Sequence, residues 1–241
     1  MIPRIIHYCW FGKGNRNRVI RRCIRSWAAV MPEYEIREWN ESNLPPENAY
    51  LNEVLSRGLW SKAANYVRLY ALLVEGGIYL DTDVEALRSF DPLLSHECFI
   101  GFQQREDGVD WVNNAILGAQ SGHQYIRDCM DATLKAFDAD HTILRGPQVA
   151  TAVLREHGLI KYGLQTVGGV TVYPIEYFSP YGWNEQFSAD CVTRDTYTIH
   201  RWQASWVKRS PRERVGRVLQ SIARTIPGAR SVRAALRSLR P

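Results

Sequence analysis

The 241-residue sequence predicts an α/β protein, and three observations carry that expectation. The chain opens as strand, helix, strand. A long helical stretch then runs through paired glycines into a short apolar run that ends in two aspartates. Further short apolar runs alternate with helical ones as far as residue 206, a pattern that suits a sheet covered by helices.

In chain order, "RIIHYCWFG" reads as a first buried strand ended by Gly12, and "GKGN" as a loop. In "RVIRRCIRSWAAVMP" the apolar residues Val19, Ile20, Cys23, Ile24, Trp27 and Ala28 recur at helical spacing, and Pro32 stops the run. "YEIREWN" alternates as a second strand. "NESNLPPENAY" is polar and proline-rich and reads as a connection. "LWSKAANYVRLYALLVEGG" has the i, i+3, i+4 pattern of a helix, with Gly76 as its terminating glycine. "IYLDTDV" is read as the next strand, "CFIGFQ" and "GVTVYPI" as later strands, and "HQYIRDCMDATLKAF" and "PQVATAVLREHG" as helices.

Composition narrows the class. A hydrophobic content of 45% with 23% charged residues suffices for one core, so a single domain with a tail is expected. Five cysteines, scattered and odd in number, argue against a disulfide framework or a zinc site and for a reducing, cytoplasmic compartment. No stretch approaches the roughly 20 apolar residues of a membrane span, and no signal-peptide pattern follows "MIPRIIHYCWFG". Residues 207–241 carry ten Lys and Arg against the single acid Glu213, a net +9, while the whole chain is +5 and residues 1–206 are therefore −4. The expected domains are accordingly 1–206, the body, and 207–241, a basic amphipathic helical tail.

The candidate site is Asp81-Thr82-Asp83. On a strand the two carboxylates would point the same way, at the carboxyl edge where open α/β sheets bind ligands. They would repel each other unless a cation sits beside them. Hard divalent cations take carboxylate oxygens and leave positions for substrate phosphates. The alternative is a polar turn in which the aspartates only cap, with Arg68 forming an ion pair to Asp81 or Glu85. A glycosidase is disfavoured, because its carboxylates bracket the sugar about 5–9.5 Å apart.

"AANYVRLYALLVEGGIYLDTDVEAL" (63–87) resembles the signature of the DXD-containing sugar transferases related to the Och1-like mannosyltransferases of glycosyltransferase family 32 and to the clostridial glucosylating toxins. "IPRIIHYCWFG" and "TYTIHRWQASW" resemble the opening and carboxyl-terminal blocks of that family, in the same order. The resemblance implies a GT-A-type fold, a nucleotide-sugar donor (a UDP- or GDP-hexose), a divalent metal (Mn²⁺, with Mg²⁺ second) and hexosyl transfer with retention. It implies catalytic roles for Arg68, Asp81 and Asp83. It places Asp83 and His200 at the metal, and Trp10, Asn65, Arg68, Tyr79, Asp81, Ser205 and Trp206 around the donor. Trp10 either stacks on the base or is a core tryptophan. Asn65 departs from the family, where many members carry aspartate; asparagine keeps the hydrogen bonding and loses the charge. This puts the donor sugar preference in doubt and favours, as one alternative, a weakened sugar-nucleotide-binding protein, the other alternative being a metal-dependent phosphohydrolase.

On the acceptor side, Asn113, Asn114 and Gln148 either bond sugar hydroxyls or cap helices. The expected acceptor is a glycan or lipid-linked glycan of a bacterial surface polysaccharide. In the tail, Ser210, Pro211 and Glu213 form a capping-box arrangement, and Val215, Val218, Leu219, Ile222 and Ile226 line one face. The tail is either a helix docked on the body or an interfacial helix on an anionic membrane, which would make the protein peripheral on the inner face. Nucleic acid is not an expected partner, since no aromatics interleave the arginines.

Overall fold

A computed structural model describes residues 1–106 and 108–203. Ser205, Trp206 and the basic tail 207–241 lie outside the described residues, so the expectations for them stand as sequence readings.

The opening forms the expected unit. Strand β1 (Ile5–Cys9) is followed by helix α1 (Arg18–Val30), and β2 (Glu35–Trp39) returns parallel to β1. Asn17 starts α1 by accepting the Ile20 N–H through its side chain at 3.0 Å. The helix buries Ile20, Cys23 and Trp27, and the Trp27 indole donates to the Val84 carbonyl at 2.8 Å. A fully buried indole with its N–H satisfied contributes packing without a desolvation penalty.

Helices α2 (Ala49–Ser56) and α3 (Trp60–Glu75) come next. The connection expected to run to Tyr50 gives way to α2 at Ala49, because Asn48 caps that helix by accepting the Leu51 N–H at 2.8 Å. Tyr50, Leu51 and Val54 are buried in the core beside α3.

Strand β3 (Gly77–Leu80) lies next to β1 and is buried at all four residues. The expected strand through Val84 is corrected here. The ladder stops at Leu80, the Val84 N–H turns back to the Asp81 carbonyl at 2.9 Å, and the chain then enters β4 (Val84–Ala86) of a second, two-stranded sheet. Asp81-Thr82-Asp83 is therefore a turn, and the alternation of a strand does not set the direction of its side chains.

The remaining strands are β5 (Cys98–Phe102), β6 (Val112–Ala119), β7 (Gln165–Val167), β8 (Val170–Tyr173) and β9 (Thr198–His200). The main sheet runs β2-β1-β3-β6-β5-β8-β7, with β6 antiparallel to both β3 and β5. Strand β6, which carries Asn113 and Asn114, is a central strand with all eight of its residues buried. Helices α4 (Gln124–Asp140) and α5 (Gly146–Glu156) pack with α2 and α3 in one cluster, while α1, β4 and the short α6 (Ile175–Phe178) belong to the other cluster.

Two glycines let α3 feed directly into β3. Gly76 (φ 70°) and Gly77 (φ 101°) both sit in the left-handed region, and a Cβ on Gly77 would fall 2.7 Å from the Ile5 carbonyl oxygen. Gly77→Ala is expected to lower stability by about 2 kcal/mol. Gly14→Ala, whose Cβ would meet nothing within 4 Å, should change it by less than about 0.5 kcal/mol. Urea unfolding of the two variants checks this, and equal effects would contradict it.

Candidate active site

The site forms where β1 and β3 end and β6 begins. Because β6 is antiparallel, its first residues lie at the carboxyl edge of β3, and the Asp81 N–H donates to the Ala115 carbonyl at 2.8 Å.

Asp81 is held from below. Its Oδ1 accepts from Arg68 Nη2 at 3.0 Å and from the Tyr79 hydroxyl at 3.0 Å. Arg68 is 4% exposed; its Nε donates to the Ala64 carbonyl at 3.2 Å, its Nη1 to the Asn114 carbonyl, and its guanidinium lies 4.3 Å from the Tyr79 ring centroid. The ion-pair reading of Arg68 is thus what the structure contains. Tyr79, 1% exposed, supports Asp81 from within the core, which corrects the expectation that it lies along the donor. Burial lifts the Asp81 carboxyl above the ordinary carboxylate range against the pull of Arg68, and the Asp83 charge adds to the rise.

Asp83 is held from the other side, by β9. Pairing of β4 with β9 sets His200 opposite Val84, so His200 Nε2 lies 3.2 Å from Asp83 Oδ1. The Gln203 N–H donates to Asp83 Oδ2 at 2.7 Å, and the Arg201 N–H to the Asp83 carbonyl at 2.8 Å. Burial would raise the Asp83 carboxyl, but His200 and the Gln203 amide outweigh it and hold it below the ordinary range. Burial would likewise lower His200, yet Asp83 outweighs it and the imidazole sits above its ordinary value.

His200 is itself positioned by groups that sequence reasoning did not assign to it. Its ring stacks on Trp202 at 3.8 Å between centroids, and Trp202 adopts φ 48°, the left-handed backbone that folds the indole back over the imidazole. The Trp202 indole donates to the Tyr181 carbonyl at 3.0 Å. Asn113 accepts the Ala115 N–H at its Oδ1 (2.9 Å), which turns its amide nitrogen toward Ser179 Oγ (3.2 Å) and His200 Nδ1 (3.4 Å). In the neutral imidazole this arrangement makes Nδ1 the accepting nitrogen and Nε2 the one that carries the hydrogen toward Asp83; in the protonated ring both nitrogens donate. Trp202 stood within the quoted "HRWQASW" block, whereas no sequence signal marked Ser179.

Of the acceptor candidates, Asn113 and Asn114 are buried at the site and Gln148 takes its capping role. Asn113 is 5% exposed and Asn114 8%, Asn114 supplying the carbonyl that holds Arg68. Gln148 accepts the Arg145 N–H at 3.0 Å and caps α5. Trp10 is partly exposed at the same end of the sheet, its indole donating to the Gly14 carbonyl at 3.1 Å. Asn65 is partly exposed on α3, three residues before Arg68.

Asp81, Asp83 and His200 can each present one ligand atom, all within 4.8 Å of one another. Two carboxylates and an imidazole suit a divalent cation of the Mn²⁺ or Mg²⁺ kind. His200 would have to release its Nε2 hydrogen to ligate, which would also free the Asp83 Oδ1 that it faces.

The family described as a glycosyltransferase sugar-binding region containing a DXD motif matches residues 17–100, and one described as an alpha 1,4-glycosyltransferase conserved region matches residues 118–226. Inositol phosphoceramide mannosyltransferase 3 of Schizosaccharomyces pombe is 28% identical over 133 residues, 52% of this chain and 35% of that protein. The lactosylceramide 4-alpha-galactosyltransferase of Pongo pygmaeus is 30% identical over 138 residues, 53% of this chain and 60% of that protein. The chain thus spans about a third to three-fifths of these relatives. Among solved structures, the PaToxG glycosyltransferase has a TM-score of 0.52 at 19% identity, covering 64% of this chain and 69% of that one, which shows the fold. Two glycosyltransferase family models thus match consecutive parts of the chain, each less than half of it, and the fold is of the GT-A type.

Removing one member of the buried pair leaves the other without its counter-charge. Arg68→Met is expected to cost about 3 kcal/mol, with part recovered in Arg68→Met/Asp81→Asn. A double-mutant cycle by urea unfolding checks this, and a change within about 1 kcal/mol for the single variant would contradict it.

Proposed function

We propose that the protein transfers a hexosyl group from a UDP- or GDP-sugar to a hydroxyl of a glycan or lipid-linked acceptor, with Mn²⁺ as the preferred metal and Mg²⁺ the second choice. The observation that supports this most is the convergence of Asp81, Asp83 and His200 at the carboxyl edge of β3, with Arg68 beneath. In the reaction the bond from the anomeric carbon to the diphosphate oxygen breaks, and the leaving diphosphate keeps the electron pair. The acceptor oxygen takes its place on that carbon and gives up its proton. Negative charge grows on the diphosphate, and a bound divalent cation supplies the positive charge that offsets it.

The residues of this chain divide the remaining work. Asp83, kept ionised by His200 and the Gln203 amide, would hold the metal together with Asp81. Arg68 acts through Asp81, fixing that carboxylate at 3.0 Å. Trp10 and Asn65 are the partly exposed groups available to base and sugar. Retention of anomeric configuration goes with the family and with the alpha-linkage named for the second matching family. The names of two relatives specify ceramide-based acceptors, which supports a lipid-linked acceptor here. A bacterial surface glycan, a cytoplasmic location and peripheral attachment through the tail complete the reading. Asn65 is the one residue favouring a weakened, sugar-nucleotide-binding protein instead.

Calorimetric titration of UDP and of GDP, with and without Mn²⁺, tests the proposal. One nucleotide is expected to bind only with the metal, and at least tenfold more weakly to Asp83→Asn, a difference of about 1.4 kcal/mol. Binding of neither nucleotide, or metal-independent binding unchanged in the variant, would overturn it.

A further inference from the structure

Residues 12–31 carry Lys13, Arg16, Arg18, Arg21, Arg22 and Arg25 and no acid, a net +6 inside a body, residues 1–206, whose total is −4. The remainder of that body is therefore −10. At 100° per residue, Arg18, Arg21, Arg22 and Arg25 of α1 fall within an arc of about 100°. Ile20, Cys23 and Trp27 occupy the opposite side and are buried. All four arginines are exposed.

The fold offsets part of this charge in the loop before α1, where Arg16 pairs with Glu38 at 2.5 Å, and less of it on the helix face. The face makes one ion pair among the described residues, Arg22 to Glu85 at 2.8 Å, and Glu85 is bonded as well by Arg201. Arg21 donates to the Arg16 carbonyl at 2.6 Å, which satisfies a hydrogen bond and leaves its charge unpaired. Arg18 and Arg25 have neither an ion pair nor a side-chain hydrogen bond among the described residues. Like charges one helical turn apart repel, so the arrangement gains only when an external polyanion faces it.

We propose that this face of α1 docks on an anionic bilayer. A single convex helix side presents its arginines to a plane of headgroups, whereas it offers no groove to a nucleic acid strand. The other exposed residues of the helix are Ala28 and Ala29, so no aromatic ring is available to stack on bases. The apolar side of α1 is committed to the core, and attachment is therefore electrostatic, without insertion. The face is continuous with the catalytic region, since Arg22 and Arg201 clasp Glu85 two residues beyond Asp83. Docking on it would bring a lipid-borne acceptor to the aspartates. That last step rests on the proposed transferase reading; the docking itself does not.

The test is co-sedimentation of the full chain with phosphatidylcholine vesicles, with and without phosphatidylglycerol. Arg18→Gln/Arg25→Gln removes two charges that have no partner to lose. Arg127→Gln/Arg155→Gln removes two exposed charges from α4 and α5 as a control. With about 1 kcal/mol per basic residue at an anionic surface, the α1 variant is expected to lose about 25-fold in partition to the anionic vesicles. The control should stay close to the parent, and pure phosphatidylcholine should bind neither. Equal losses in both variants, no loss in the α1 variant, or arginine-dependent retention on duplex DNA with no vesicle binding would each overturn the proposal. Metal-dependent nucleotide binding, measured on the same variants, reports separately on the transferase reading.

Discussion

Two carboxylates stand at the mouth of a fully buried strand, and the requirement that each be given a counter-charge organises the molecule around them. Asp81 is answered by Arg68, 4% exposed and presented by α3. Asp83 is answered by His200, presented by β9. Both solutions depend on distant choices. Gly76 and Gly77 permit α3 to fold straight back along the strand it feeds, which brings Arg68 under Asp81. Pairing of β4 with β9 brings a histidine from more than a hundred residues later against Asp83.

The two aspartates are not equivalent. Burial dominates at Asp81 and lifts its proton affinity, even with a guanidinium in contact. At Asp83 burial is outweighed by the imidazole and by a backbone N–H, so this carboxyl is the more firmly ionised of the pair. The asymmetry matches a division of labour in which Asp83 is the standing anion and Asp81 is a carboxylate fixed in place by Arg68 and Tyr79. Asn113 extends the same logic outward by orienting the imidazole that serves Asp83.

Much of this was legible in the sequence. The βαβ opening, the α3 helix with its terminating Gly76, and the meeting of Asp81, Asp83, Arg68 and His200 follow from local periodicity and from three family-like blocks. What was missed has identifiable causes. Asn48 starts α2 inside a stretch whose prolines signalled only a connection. Residues 112–119 are apolar after two asparagines, and those two polar residues hid a central strand; they are accommodated because Asn113 bonds the Ala115 N–H and Asn114 packs against Gly146. The strand was read through to Val84 because aspartate and threonine do not disclose whether a ladder continues or turns. Tyr79 was placed around the donor, and the asparagines were left open between sugar contacts and capping, because sequence shows residue type and not which surface a side chain reaches.

The central claim is that the Asp81–Asp83–His200 cluster receives a divalent cation together with a nucleoside diphosphate. The most direct measurement is diffraction at the manganese absorption edge from crystals grown with Mn²⁺ and the nucleotide that binds. The account predicts one anomalous peak in coordination contact with the Asp83 carboxylate and the diphosphate oxygens. Nucleotide bound elsewhere, or bound at this cluster with no manganese against Asp83, would contradict it.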